Sequence, residues 1–82
     1  MKTVTVLFFA TLRDHMGTRQ LTIDLPEDAG VAELKANLAA IRPTAAAALE
    51  TALVAIDREY AFQDAAIPAG AEVALFPHVS GG

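Results

Sequence analysis

The chain has 82 residues and a formal net charge of −4 at pH 7, with only six Lys and Arg, scattered singly, so no nucleic-acid partner is expected. It contains no cysteine, which excludes disulfides, iron–sulfur clusters, thiolate zinc sites and cysteine nucleophiles. Apolar residues make up 54% of it, but 18 of these are alanine, which leaves material for one thin core, and no apolar run approaches the roughly 20 residues that span a bilayer.

Residues 2–10, Lys-Thr-Val-Thr-Val-Leu-Phe-Phe-Ala, are rich in β-branched and aromatic side chains and predict a strand. The opening Met1-Lys2-Thr3-Val4 runs straight into it without the layout of a signal peptide, so a cytoplasmic protein with no membrane segment is expected. Alternation places Val4, Val6 and Phe8 on one face and Thr5, Leu7 and Phe9 on the other. Arg13, Asp14 and His15 break the pattern between Thr11 and Gly17, where Gly17 suits a turn. Residues 19–25 alternate again, with Leu21, Ile23 and Leu25 inward and Gln20, Thr22 and Asp24 outward, until Pro26 ends them. The two runs read as an antiparallel pair.

Pro26 to Gly30 is a loop in which Asp28 or Gly30 can cap the next element. From Val31 the period becomes helical: Val31, Leu34, Leu38 and Ile41 form one stripe, Glu33, Lys35 and Asn37 lie off it, and Arg42-Pro43 stops the helix. The alanine-rich stretch 44–52 fits a second short helix or a closely packed connection. Leu53 to Asp57 predicts a strand with Val54 and Ile56 on one face. Arg58-Glu59-Tyr60 reads as a turn, 62–67 as irregular, and Pro68-Ala69-Gly70 as another turn. Ala71 to Phe76 predicts the last strand, with Val73 and Leu75 alternating against Glu72, Ala74 and Phe76, and Pro77 ends it.

This order is an α+β pattern, in which one helix, with or without a second, covers one face of a four-stranded sheet. The covered face takes Val4, Val6, Phe8, Leu21, Ile23, Val54, Ile56, Val73 and Leu75. The opposite face carries Leu7, Phe9, Ala55, Ala74 and Phe76. It is either a protein interface at the root of the C-terminal tail, or it is covered by the second helix or the 58–70 loop.

A self-contained active site is not expected. His15 and His78 are far apart and lack metal-ligand spacing, so no metal site is expected; no Gly-rich phosphate loop, nucleophile elbow or zinc-spaced His-Glu pair occurs. Ser80 has no neighbour to activate it. The remaining reactive group is the carboxylate that follows Gly81-Gly82, whose missing Cβ atoms let the backbone enter a narrow channel. Its pKa should lie near 3.3–3.7, so at neutral pH it is an anion and a poor electrophile. Joined to adenylate it becomes a mixed anhydride open to attack by sulfur or nitrogen. The chain has no ATP-binding motif, so ATP must be consumed on another protein and no bound cofactor is expected. A domain with a bare Gly-Gly end and an apolar face has the makings of a carrier, and without cysteine any sulfur it carries must sit on the C-terminal acyl group.

The chain resembles the ubiquitin-like β-grasp sulfur carriers, most closely the small subunits of molybdopterin synthase. The resemblance rests on Val6-Leu7-Phe8-Phe9-Ala10-Thr11-Leu12-Arg13 with Gly17 at the front, and on Pro68 to Pro77 with Val79-Ser80-Gly81-Gly82 at the back. It implies a β-grasp domain over 1–76, with a mixed four- to five-stranded sheet on one main helix plus a short second helix, and a flexible Gly-Gly tail over 77–82. It implies that an E1-like adenylyltransferase adenylates Gly82, that a sulfurtransferase system converts it to a thiocarboxylate, and that Gly81 and Gly82 form the functional tail. The sulfur then goes to cyclic pyranopterin monophosphate in the large subunit, two loaded carriers serving each molybdopterin. That subunit holds the active site of a heterotetrameric synthase in molybdenum cofactor biosynthesis. Phe9, Tyr60, Phe76, Pro77, Val79 and Ser80 correspond to partner-binding positions. Two departures stand out: His78 replaces the second proline of the usual Pro-Pro pair, and Ala71 replaces the usual Asp. A thiamin-type carrier, a protein modifier conjugated through Gly82 and a binding module with an incidental tail are the alternatives.

Overall fold

The structure is a computed structural model that describes residues 1–78. Strand β1 (Lys2–Phe8) keeps the alternation of its sequence: Val4, Val6 and Phe8 are buried, while Thr3, Thr5 and Leu7 are not. It pairs antiparallel with β2 (Gln20–Leu25), Val4 opposite Ile23 and Val6 opposite Leu21. On its other side it runs parallel to β5 (Glu72–Phe76), Val6 beside Val73 and Phe8 beside Leu75. A parallel neighbour needs a crossover, and helix α2 (Val31–Ile41) lies within it, on the buried face of the sheet. Strands β3 (Leu53–Ile56) and β4 (Glu59–Ala61) complete a mixed five-stranded sheet in the order β2-β1-β5-β3-β4. The α+β layout is the expected one, with five strands and with β5, the strand that leads to the tail, at the centre.

Three local readings are corrected. The break after β1 is a helix, α1 (Thr11–Met16), and β1 stops at Phe8 instead of running to Ala10. Leu12 and Met16, one turn apart, bury against the core while Arg13, Asp14 and His15 face out. Gly17 ends this helix in the left-handed region at φ 73°, its N–H donating to Arg13 O at 2.9 Å. Next, Arg58-Glu59-Tyr60 is not a turn. The chain reverses at Asp57-Arg58, with φ of 48° and 73°, as in the two-residue hairpins whose twist matches that of the strands. The Asp57 carboxylate accepts from the Glu72 N–H at 3.0 Å and holds that reversal against β5, so Tyr60 falls in a strand opposite Ala55.

The third correction concerns the stripe of α2. Ile41 is 51% exposed, whereas Lys35 is buried. At about 100° per residue Lys35 lies only about 40° from Val31, while Ile41 lies about 80° away on the other side. The Lys35 ammonium donates to Ala52 O at 2.9 Å and Glu50 O at 3.3 Å. It thereby pins α2 to the end of the stretch 44–52, which is helical: a 3-10 turn (Pro43–Ala45) leads into α3 (Ala46–Glu50), with Ala45 and Leu49 buried.

Burial pulls the Lys35 pKa below its ordinary 10.5, and the nearby Glu50 carboxylate offsets part of that shift. Between the lowered value and 10.5 the unfolded chain holds the proton that the folded chain has released. Its contribution to stability therefore rises with pH through that window. Urea unfolding at a series of pH values should show the wild-type protein gaining stability relative to Lys35→Met as the pH rises from neutrality toward that upper limit.

A second lysine closes the other end of the sheet. The Lys2 ammonium, buried at the start of β1, donates to Glu27 O at 2.9 Å, Ala29 O at 2.8 Å and Ile67 O. Segment 62–67 is thereby strapped to the start of α2: Val31 N–H donates to Ala65 O at 3.0 Å, and Gly30 pairs with Ala66. A Cβ on Gly30 would strike the Ala65 carbonyl. Gly30 is the N-cap of α2, with its N–H donating to the Glu33 carboxylate at 2.8 Å. Among the described residues no helix is long and apolar enough to cross a membrane.

Candidate functional site

The sheet face turned away from the helices stays open. Strand register sets Leu7, Ala74, Ala55 and Tyr60 in one row across β1, β5, β3 and β4. The next row places Phe76 opposite Leu53, and Phe9 stacks on Phe76 with ring centroids 4.7 Å apart and planes at 12°. Phe9 N–H donates to Leu75 O at 3.1 Å, which carries the pairing one residue past β1. Neither α3 nor the 58–70 segment covers these side chains: Phe9 is 37%, Leu53 41% and Tyr60 78% exposed. Phe9 and Tyr60, together with Leu7, Ala55, Ala74 and Phe76, border a shallow depression of about 340 Å³, with Arg58 and Glu72 at its polar end. Exposed aromatic patches on small domains commonly mark protein, membrane or ligand contacts, which makes this face the candidate site.

Of the residues singled out from the sequence, Phe9, Tyr60 and Phe76 are brought together on this face. Tyr60 was reached only through the family resemblance, since reading 58–60 as a turn removed it from the alternation. Leu53 and Arg58 were missed. The signal for Leu53 was available, because it stands two residues before Ala55 in the same strand. Pro77 follows directly on β5 and is half-buried, and His78 is exposed. The expectations for Val79, Ser80, Gly81 and Gly82 lie outside the described residues. Among the described residues no three His, Cys, Asp or Glu side chains converge to hold a metal ion.

The chain turns sharply behind Phe9. Ala10, the residue before α1, has φ 52° and ψ −130°, a conformation that a Cβ disfavours. The turn allows Leu12 N–H to donate to Phe9 O at 3.1 Å, so that α1 begins at once and Phe9 is held against Phe76. Ala10 is exposed and packs against nothing that glycine would lose. Strain of this kind costs about 1–3 kcal/mol, against about 0.5–1 kcal/mol for the extra freedom of glycine in the unfolded chain. Ala10→Gly should therefore stabilise the domain by about 1 kcal/mol, read as a rise of roughly 4–8 °C in the melting temperature.

The parallel pairing of β1 with β5, the helix in the crossover and the hairpins at the two edges together define a ubiquitin-like β-grasp domain. The chain belongs to the ThiS family, whose profile matches residues 6–82. It is 36% identical over 80 residues to the molybdopterin synthase sulfur carrier subunit of Dictyostelium discoideum, covering 94% of this chain and 93% of that one. It superposes on the crystal structure of small archaeal modifier protein 1 from Haloferax volcanii with a TM-score of 0.86 at 26% identity, over 96% of this chain and 100% of that one. Subunit 1 or 2 of the Helicobacter pylori molybdopterin-converting factor, solved as a complex of the two, shares the fold at a TM-score of 0.66 and 21% identity, over 98% and 99% of the chains.

Proposed function

We propose that this chain is the sulfur carrier subunit of a molybdopterin synthase, loaded at the C-terminal carboxylate of Gly82. The observation that carries this reading is the 36% identity, over nearly the full length, to a subunit of that name. An open aromatic face at the root of a Gly-Gly tail supports it. In this reading residues 1–76 are the rigid domain and 77–82 the tail. The carboxylate attacks the α-phosphorus of ATP on an E1-like adenylyltransferase and expels pyrophosphate. Sulfide-level sulfur supplied by the sulfurtransferase system then attacks the acyl carbon, and AMP leaves with one of the former carboxylate oxygens, giving the thiocarboxylate. Phe9, Tyr60 and Phe76 dock against the large subunit while Pro77, Val79, Ser80, Gly81 and Gly82 lead the sulfur into its active site, where cyclic pyranopterin monophosphate receives it. A partner large subunit is in keeping with the solved complex of the Helicobacter pylori chains.

The thiocarboxylate form, mixed with the large subunit from the same genome and cyclic pyranopterin monophosphate, should yield molybdopterin. Failure of a freshly loaded sample to do so overturns the assignment. The likeness to an archaeal modifier protein favours a second reading, conjugation to other proteins through Gly82. Lysine-linked Gly82 adducts recovered from cells would establish it.

A further inference from the structure

The cations of this acidic chain are unevenly spent. Of the six Lys and Arg, Lys2 and Lys35 turn their ammonium groups onto backbone carbonyls of the fold. Of the four arginines, Arg58 borders the apolar depression beside Glu72, and Arg42 lies over Gly17 and lines neither hollow of the open face. Arg13 on α1 and Arg19, just before β2, are both exposed and line one cleft of about 330 Å³. Its floor is Leu7, Phe8 and Phe9, and no acidic side chain lines it. Leu7 and Phe9 also border the apolar depression, so the two hollows are adjacent and share a wall. The one ion pair among the described residues joins Met1 to Glu27, so neither guanidinium is matched by a carboxylate there.

The far end of the same face has the opposite sign. Asp24, held by the Thr3 hydroxyl at 2.8 Å, and Glu72, whose N–H bonds Asp57, lie toward the start of β1. Arg58 stands beside Glu72 at that end, so Asp24 and Glu72 leave it net negative by one charge, whereas the end beside Phe9 carries Arg13 and Arg19 with no acidic side chain in the cleft. A guanidinium presents a fixed fork of donors that suits a carboxylate, and two of them side by side select for negative charge.

We infer that Arg13 and Arg19 form an acid-reading rim of the docking face, and that the large-subunit segment seated beside Phe9 presents Asp or Glu carboxylates to them. This rests on the reading that the open face docks the large subunit. Rim charges act mainly on the rate and orientation of encounter, so the effect belongs in association kinetics and their salt dependence.

Stopped-flow association of the full chain with its large subunit tests this at about 0.01 M and about 1 M salt, where the screening length falls from roughly 30 Å to roughly 3 Å. The double variant R13Q/R19Q should associate about tenfold more slowly than wild type at low salt, match it at high salt, and dissociate at the wild-type rate. R42Q, which removes one positive charge outside the cleft, should slow low-salt association clearly less than R13Q or R19Q alone. A wild-type rate that does not depend on salt, or an R13Q/R19Q variant as fast as wild type at low salt, overturns the inference. So does an arginine effect that vanishes when Gly81 and Gly82 are deleted, which would assign the cleft to the chain's own carboxylate. Phe9→Ala separates the two levels: if it weakens binding while R13Q/R19Q does not, the docking face stands and only the acidic rim falls. If Phe9→Ala binds as tightly as wild type, the docking reading itself fails.

Discussion

Deleting Gly81 and Gly82 should abolish sulfur delivery by this chain while its melting temperature moves by no more than a few degrees. The two effects separate because the described domain closes without them: the core side chains Val6, Leu34, Leu38, Val73 and Leu75 all lie before residue 77 and are fully buried. Changes outside such a core ordinarily stay within about 0.5 kcal/mol. Activity is different in kind. The chain has no cysteine thiol, and the described residues form no metal cluster, that could carry sulfur in place of the terminal acyl group. Molybdopterin formation with the deleted chain, measured in the reconstituted system, should therefore fall to the level without any carrier. Product formed at even a tenth of the normal rate would contradict the role of Gly82.

Phe9→Ala should weaken binding to the large subunit by about 10- to 100-fold, measured by titration calorimetry. Buried aromatic anchors at the centre of an interface typically contribute about 2 kcal/mol or more, and 1.4 kcal/mol is tenfold in affinity. Phe9 fits that role because it is already positioned in the free chain: the Ala10 turn and the ring of Phe76 hold it against the sheet. Its loss also removes the stacked pair, worth about 0.5–1.5 kcal/mol, so a small drop in stability accompanies the loss of binding. Tyr60→Ala should cost less stability, since its side chain stands almost clear of the sheet. Wild-type affinity in a folded Phe9→Ala protein would show that the partner sits elsewhere.

The parts of the fold that were legible in the sequence are those with a local signature. The period of two in 2–8 and 20–25 places Val4, Val6, Ile23 and Leu25 inward, as observed, and the switch to a helical period at Val31 marks the main helix where it begins. Helix α1 was illegible because six residues hold barely one repeat, and its three polar residues hid the Leu12–Met16 pair. The Asp57-Arg58 reversal was hidden for a different reason. Asp57 is among the residues that tolerate positive φ, but Arg58 is not, no glycine marks the turn, and the conformation is held from a distance by Glu72. Lys35 could not be read as buried from its type, because its acceptors come from Glu50 and Ala52, fixed only once α3 has packed.

The site divides in the same way. Phe9 and Phe76 follow from alternation, since each points away from the face that α2 covers. Leu53 follows from the alternation of its own strand, whereas Tyr60 joins them only through the β3–β4 pairing. Arg13 and Arg19 are six apart in sequence and line one cleft because α1 folds back beside the start of β2. Gly81 and Gly82 were the plainest feature of the sequence, and their meaning came from the absence of other chemistry.

The central claim is that Gly82 carries the sulfur. The most direct measurement is the intact mass, with fragmentation of the C-terminal peptide, of the chain co-expressed with its adenylyltransferase and sulfurtransferase. The account predicts that one oxygen of the Gly82 carboxylate is replaced by sulfur, and that this species disappears when the adenylyltransferase is omitted. A carboxylate left unchanged by an activation system that loads another carrier of this family would contradict it.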